Sequence, residues 1–147
     1  MLERPDELTN LIKAGALKEA DRDRDELDQY IAVATASLKD ARNASSSANS
    51  RYTLAYEGLH TLAIATLVHF GVRPGDQPGH RTVAFQKFCD IQDMDLGTRK
   101  IVMDAHQRRN GAIYRSALPP LTHKEAETVI AVLEVALPKA AALIAAR

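Results

Sequence analysis

The chain has 147 residues, and its 19 basic and 19 acidic side chains give a formal net charge of zero at neutral pH. This length suits one domain and argues against two independent cores. A chain without net charge lacks the electrostatic signature of a protein that coats nucleic acid, so any contact with nucleic acid must be local. The single cysteine, Cys89, excludes an internal disulfide framework and fits a reducing compartment.

The N-terminal sequence has no basic flank followed by an apolar run, so we expect no secretory signal and a cytoplasmic protein. The most apolar stretch, 59–70, is interrupted by polar residues and is shorter than the ~20 apolar residues that a membrane crossing requires. The five histidines and the cysteine form none of the usual close ligand pairs, so we expect neither a metal site nor a cofactor.

The first two predicted elements are helices. Apolar residues predict a short N-terminal helix at about 6–17, and the charged run 19–26 leads into a second helix. In this second helix a narrow apolar stripe, with spacings of three and four, is typical of a face that packs on a partner helix, and the helix ends at Asn43. The Ser-rich segment 43–50 is expected to be a polar linker.

The third predicted helix, 51–70, begins after Ser50, which is placed to cap it, and is apolar on nearly every side. We therefore expect it to form the centre of the bundle. Gly71 is expected to end it in a left-handed conformation, and the Pro- and Gly-rich segment 72–79 is expected to be a loop.

Three further helices are predicted after this loop. The fourth covers about 81–91, and an aspartate caps the fifth, which covers about 96–114. Two consecutive prolines stop the chain from continuing as a helix, and Thr122 and Glu125 form a capping box for the last one. That helix has a wide apolar stripe, and a kink is expected at Pro138.

Together these elements predict an all-α fold. The expected architecture is a single domain, 1–147, with a core bundle of four to five main helices at about 22–145 and the short helix at about 6–17 before it. Almost no stretch alternates with a period of two, so no sheet is expected.

The fifth helix carries the strongest candidate site. His106, Asn110 and Tyr114 repeat at i, i+4 and i+8 on one face, with Arg109 one ridge away and Arg108 beside it. Arginine offers a rigid fork for phosphate or carboxylate, and asparagine adds a donor and an acceptor. The alternative is a hydrogen-bond network between helices or subunits, and the residue types alone weigh the two interpretations equally.

The third helix carries a second polar stripe on an otherwise apolar element. Tyr52, Tyr56 and His60 stand four residues apart and share one face. They are either core residues whose hydroxyls and ring nitrogens are satisfied internally, or they face the Arg109 cluster and build one polar pocket with it.

Four short motifs follow one another along the chain. They are Ser50-Arg-Tyr-Thr-Leu-Ala-Tyr-Glu-Gly-Leu-His60, Gly71-Val-Arg-Pro, His80-Arg-Thr-Val-Ala-Phe and Arg108-Arg-Asn-Gly-Ala-Ile-Tyr114. In this order they resemble the HEPN superfamily of small helical bundles, over roughly 12–145. The resemblance implies a bundle that dimerises, with the basic motif of each subunit facing the other across a shared cleft.

The resemblance also implies a function. Many HEPN proteins are metal-independent ribonucleases that act as toxins or defence effectors, and some are paired with a nucleotidyltransferase antitoxin. Their signature is an arginine, commonly followed by a polar residue such as asparagine, with a histidine a few residues later. In this chain no histidine stands at the corresponding positions, 113–116. Tyrosine, with a pKa of about 10 against about 6.5 for histidine, is a poor base near neutral pH.

We therefore expect an HEPN-like nucleic-acid or nucleotide-binding module of a toxin–antitoxin or defence system, without efficient catalysis. The expected partners are RNA or a nucleotide, a second copy of the chain and a nucleotidyltransferase-type antitoxin, with no membrane. One alternative is a metal-independent endoribonuclease with an Arg-Asn-x-x-x-Tyr site, in which a histidine substitutes as the proton carrier. Another is a purely structural bundle.

The family motif and the two polar stripes together give the candidate site residues of this sequence. The candidate catalytic residues are Arg109, Asn110 and Tyr114. The candidate binding residues are Arg108, His106, His60 and Tyr56.

Overall fold

In the computed structural model, residues 4–76, 78–114 and 120–146 are described, and the side chains of 110–114 are not. The described residues form six helices and two short strands. The helices are α1 (Asp6–Lys13), α2 (Arg24–Ala41), α3 (Ala48–His69), α4 (His80–Ile91), α5 (Leu96–Tyr114) and α6 (His123–Ala145), and the strands are β1 (Leu17–Glu19) and β2 (Val72–Pro74). The all-α fold class is therefore confirmed.

Helix α3 is central to the bundle, and α2, α4, α5, α6 and β2 all contact it. Ala55, Leu59 and Leu62 are fully buried along its length. It also approaches α6 closely, because a β-carbon built on Gly58 would lie 2.7 Å from Leu133 of α6. A helix that is apolar on nearly every side is thus covered on nearly every side, which agrees with the prediction from its sequence.

N-terminal caps determine where the helices begin. Ser47, rather than Ser50, caps α3 by accepting a hydrogen bond from the Ser50 backbone N–H at 3.0 Å, so the helix starts three residues earlier than predicted. Asp95 accepts from the backbone at the start of α5 at 2.7 Å. The capping box of Thr122 and Glu125 is present at the start of α6, as predicted.

The expectation of a sheet-free chain is wrong at two places. The helix predicted at 6–17 ends at Lys13, and the loop predicted at 72–79 begins with β2. β1 and β2 pair antiparallel, with Leu17 opposite Pro74. Strands of three residues are too short to show a period of two in the sequence, and proline is tolerated at the edge of a sheet.

Three arginines close the C-terminal ends of helices. Arg4 acts at the end of α3, Arg22 at the end of α6 and Arg51 at the end of α2. Each guanidinium donates to a backbone carbonyl there, at 3.0, 3.2 and 2.8 Å respectively. A cation at this position satisfies an unpaired carbonyl and complements the negative end of the helix dipole. These arginines therefore have a structural role in the bundle.

Helix α6 is apolar and long enough to cross a membrane by length and composition. In the bundle, Val129, Leu133 and Ala140 on its inner face are buried in the core. A core helix of a globular protein can have the same length and composition. On the outer face Val135 is 63% exposed.

The contact between the two strands generates a prediction about Gly75. A β-carbon at this position would lie 2.7 Å from the Gly15 carbonyl oxygen and 3.1 Å from that of Ala16, and backbone atoms cannot move aside independently. We expect Gly75→Ala to lower the free energy of unfolding by about 2 kcal/mol through overpacking. In the control Gly97→Ala, the nearest atom lies 3.6 Å away, on Asp95, so little change is expected. Equal urea midpoints for the two variants would contradict the prediction.

Candidate functional site

A polar network joins α3, α4 and α5 inside the apolar core. The Tyr56 hydroxyl lies 3.3 Å from Nδ1 of His106, and Thr82 Oγ1 lies 3.0 Å from Nε2 of the same ring. Arg81 donates from Nη1 to the Tyr56 hydroxyl at 3.1 Å. Phe85 packs on both rings, with centroids 5.6 Å from Tyr56 and 5.4 Å from His106. We call Arg81, Tyr56, His106 and Thr82 the polar network.

In the polar network each residue donates a hydrogen bond to the next, from Arg81 to Tyr56, from Tyr56 to His106 and from His106 to Thr82. Arg81 can only donate, so it occupies a lone pair of Tyr56, and the tyrosine proton is directed to Nδ1 of His106. Nε2 of His106 then carries the ring proton and donates to Thr82. The opposite tautomer would leave the buried Tyr56 proton without an acceptor among the described residues, which is costly.

Both nitrogens of His106 are therefore occupied, and its imidazole is neutral. The ring is buried, and burial lowers its pKa, with smaller effects in the same direction from Arg81 and His80. The pKa of Tyr56 shifts in the opposite direction. Its burial raises the pKa of the hydroxyl, while the hydrogen bond from Arg81 opposes the increase. Both shifts move the pKa away from neutral pH.

His60 lies beside the polar network. Its ring packs on Phe85 with centroids 5.7 Å apart, and its nitrogens make no hydrogen bond within the described part of the chain. Burial lowers the pKa of His60 to about 4, and the nearby Arg81, His80 and His106 add to the effect. A half-buried, neutral imidazole is the result, with a donor and an acceptor that the described fold does not use.

Arg109 lies near the polar network on α5. Its Nε is 3.8 Å from Oε1 of Glu57, and the two side chains are 39% and 40% exposed. This Nε atom is withdrawn from solvent, yet it has no hydrogen-bond acceptor among the residues that are described. Arg109 is also close enough to Tyr56 to oppose the rise in its pKa. An ion pair this long and this exposed contributes little stability.

The predicted stripe on α3 divides between two environments. Tyr56 belongs to the polar network and His60 lies beside it, whereas Tyr52 lies close to Arg108. Burial raises the pKa of Tyr52 to about 12, against an opposing effect of Arg108.

Two of the predicted site residues cannot be placed. The side chains of Asn110 and Tyr114 lie outside the described residues, although the backbone of both belongs to α5. The predicted Arg-Asn-x-x-x-Tyr site therefore stays a prediction. The part of the site that is described consists of His106, Tyr56 and His60, with Arg109 near them.

The sequence analysis missed the contribution of α4. Arg81 and Thr82 both join the polar network, and Phe85 packs beneath it. A signal was present in the motif that starts at His80, where a basic pair follows Gly79 at the beginning of a helix. Arg81 and Phe85 are also four residues apart and hence share a face of α4.

A separate groove of about 520 Å³ lies between the start of α5 and α6. Met94, Ile101, Val132 and Val135 are among its lining residues, and no member of the polar network belongs to it. Within the described ranges, no three His, Cys, Asp or Glu side chains are grouped so that they could hold a metal ion.

Comparisons with known proteins add no relative from which function could be inferred. No protein-family model matches the chain, and neither a curated protein nor a solved structure matches it. The HEPN resemblance therefore rests on the four sequence motifs.

The low pKa of His60 generates a prediction about acid sensitivity. Because folding lowers this pKa from about 6.5 to about 4, the unfolded chain binds the proton more tightly, and stability is lost as pH falls through this window. We expect His60 to account for about 3 kcal/mol of the decrease in unfolding free energy between pH 7 and pH 4. In His60→Leu the decrease should be smaller by that amount. Urea unfolding across the pH range measures it, and an unchanged pH dependence would contradict the assignment.

Proposed function

We propose that the protein binds phosphate groups of RNA or of a nucleotide where α3, α4 and α5 meet, as an HEPN-like module of a toxin–antitoxin or defence system. The observation that carries the proposal is the Nε donor of Arg109, which is withdrawn from water and has no acceptor among the described residues. Leaving such a donor unpaired is costly, and a phosphate oxygen is the acceptor that a guanidinium binds best.

The electrostatics of the site support an anionic ligand. Arg81 donates to a neutral hydroxyl, and the carboxylate nearest to Arg109, that of Glu57, is 3.8 Å away. Elsewhere in the structure Arg42 and Arg73 are each hydrogen-bonded directly to a glutamate. Arg42 and Arg73 thus use their donors within the fold, whereas Arg81 and Arg109 retain donors for a ligand.

The histidines favour binding over cleavage. His106 is buried, neutral and hydrogen-bonded at both nitrogens, so it has no free position for a substrate proton. His60, with a pKa of about 4, is a weak base near neutral pH. The endoribonuclease alternative requires a histidine as the proton carrier, and the surroundings of these two histidines do not favour that role. We therefore propose a module without efficient catalysis.

Replacing Arg109 tests the phosphate-binding role. We expect Arg109→Ala to weaken binding of labelled single-stranded RNA, or of ATP, by about tenfold or more, because hydrogen bonds to a charged group are lost. The free energy of unfolding should stay within about 0.5 kcal/mol of the wild-type value, because the pair with Glu57 is long and exposed. Fluorescence anisotropy and thermal melts measure the two quantities.

Arg42→Ala is the matched control, since Arg42 is a half-exposed arginine that is bound to Glu134. It should leave ligand binding unchanged. An Arg109→Ala variant that binds as the wild type does, yet melts far lower, would show that the arginine has a structural role instead.

The proposed module acts as a homodimer. The HEPN resemblance supports this, and so does the outer face of α6, where Val135 is exposed beside Ala131 and next to the groove at the start of α5. Small side chains on an exposed apolar face allow a second helix to approach closely.

Light scattering at micromolar concentration is expected to give the mass of a dimer. Val135→Glu should shift the protein toward monomer, because it places a charge in the apolar contact. The matched control is Val33→Glu on α2, where the valine is 52% exposed, and it should leave the mass unchanged. A wild-type chain that is monomeric throughout would contradict the dimer.

The last element of the proposal is a nucleotidyltransferase-type antitoxin as partner. Only the motif resemblance supports it. A nucleotidyltransferase-like reading frame beside this one, and copurification of its product with the chain, are the expected observations.

A further inference from the structure

We propose that Arg81 is the principal phosphate ligand of this site, and that Tyr56 and His106 are positioning residues that orient its guanidinium. The assignment rests on the proposed function and adds to it a residue from α4 that the sequence motif on α5 does not contain. It rests on the hydrogen bond that Arg81 makes to Tyr56 and on the donors of Arg81 that have no partner among the described residues.

Most donors of Arg81 are not used by the fold. A guanidinium has five N–H donors, and one of them is bound to the Tyr56 hydroxyl at 3.1 Å. Within the described part of the chain, no carboxylate lies within ion-pair distance of Arg81. The side chain is partly exposed and starts in the first turn of α4. One edge of the guanidinium is thus anchored while the other is open to a ligand.

The anchor itself is rigid. Tyr56 and His106 are almost completely buried, and their rings lie nearly parallel, with an interplanar angle of 14°. His106 takes the tyrosine proton at Nδ1 and is held at Nε2 by Thr82. A lone pair of the Tyr56 oxygen is therefore free for Arg81. An arginine that is held in place before binding loses less entropy when it captures a phosphate.

The charge at this position does not depend on the histidines. Arg81 and Arg109 both lie close enough to Tyr56 to lower its pKa, and each guanidinium carries a positive charge. Burial lowers the pKa of both His106 and His60. A bound phosphate would therefore be neutralised by two arginines, of which Arg81 is the one that is preoriented.

The test measures the affinity for a labelled single-stranded RNA as a function of KCl concentration. The variants are Arg81→Ala, Arg81→Lys, Tyr56→Phe and the control Arg42→Ala. Arg81→Ala should weaken binding about tenfold or more, and the slope of log Kd against log salt should decrease by about one, because one phosphate contact is lost. Arg42→Ala should match the wild type in both quantities.

The conservative variants separate charge from orientation. Arg81→Lys should keep the salt slope but bind several-fold more weakly, because a lysine lacks the guanidinium fork. Tyr56→Phe should also keep the slope while the affinity decreases several-fold, since the charge remains and only its orientation is lost. A destabilised fold alone would not produce this pattern when all variants are measured well below their melting temperatures. If Arg81→Ala fails to fold, Arg81→Lys still provides the comparison.

Two results would overturn the assignment and leave the proposed function intact. One is an Arg81→Ala variant with wild-type affinity and slope, together with an Arg109→Ala variant that no longer binds. The other, which removes only the positioning role, is a Tyr56→Phe variant with wild-type affinity. A wild-type chain that binds neither the RNA nor ATP would instead refute the proposed function, and the role of Arg81 with it.

Discussion

The burial of α3 on nearly every side is the constraint on which the rest of the structure depends. Where the helix has no solvent face its polar side chains cannot reach water, so a polar side chain that is buried there must find a partner inside the bundle. Thr66 does so locally, by donating to the Leu62 carbonyl at 2.8 Å. Tyr56 is too long for that solution, and α4 and α5 supply Arg81 and His106 to it. The polar network is thus a consequence of placing a tyrosine on the central helix.

The same constraint explains why a structural and a functional interpretation coexist at this site. Arg22 and Arg51 show what a purely structural arginine does in this bundle. Arg22 donates to Nδ1 of His69 and to a carbonyl at the end of α6. Arg51 donates to Nδ1 of His123 and to a carbonyl at the end of α2. Their contacts fix one helix against another. Among the described residues Arg81 donates a hydrogen bond to Tyr56 alone and to no carbonyl at a helix end. Arg81 therefore retains unused donors, whereas Arg22 and Arg51 use theirs within the fold.

How much the sequence could predict depends on the distance over which each signal acts. Apolar spacing and caps are local signals, so the helices and the capping box at Thr122 were predictable. The choice between Ser47 and Ser50 at the start of α3 was not predictable, because both serines precede a helical pattern. Helical spacing also showed which polar residues share a face of α3 or of α5. It could not show that α4 packs across both, and therefore Arg81 and Thr82 were not predicted at the site.

The groups that give the site its positive charge differ from the groups that make the fold sensitive to acid. Burial is the main cause that lowers the pKa of His60 and of His106, so protonation of either ring in acid destabilises the fold. In the proposed function, the positive charge that a phosphate would meet belongs to the guanidinium groups of Arg81 and Arg109. Loss of ligand binding in acid should therefore follow unfolding of the bundle, whereas an RNA-cleaving HEPN site with a titrating histidine would lose activity while still folded. Under the proposed function, His60 and His106 therefore contribute to the packing of the bundle, and Arg81 and Arg109 contribute the charge that meets the ligand.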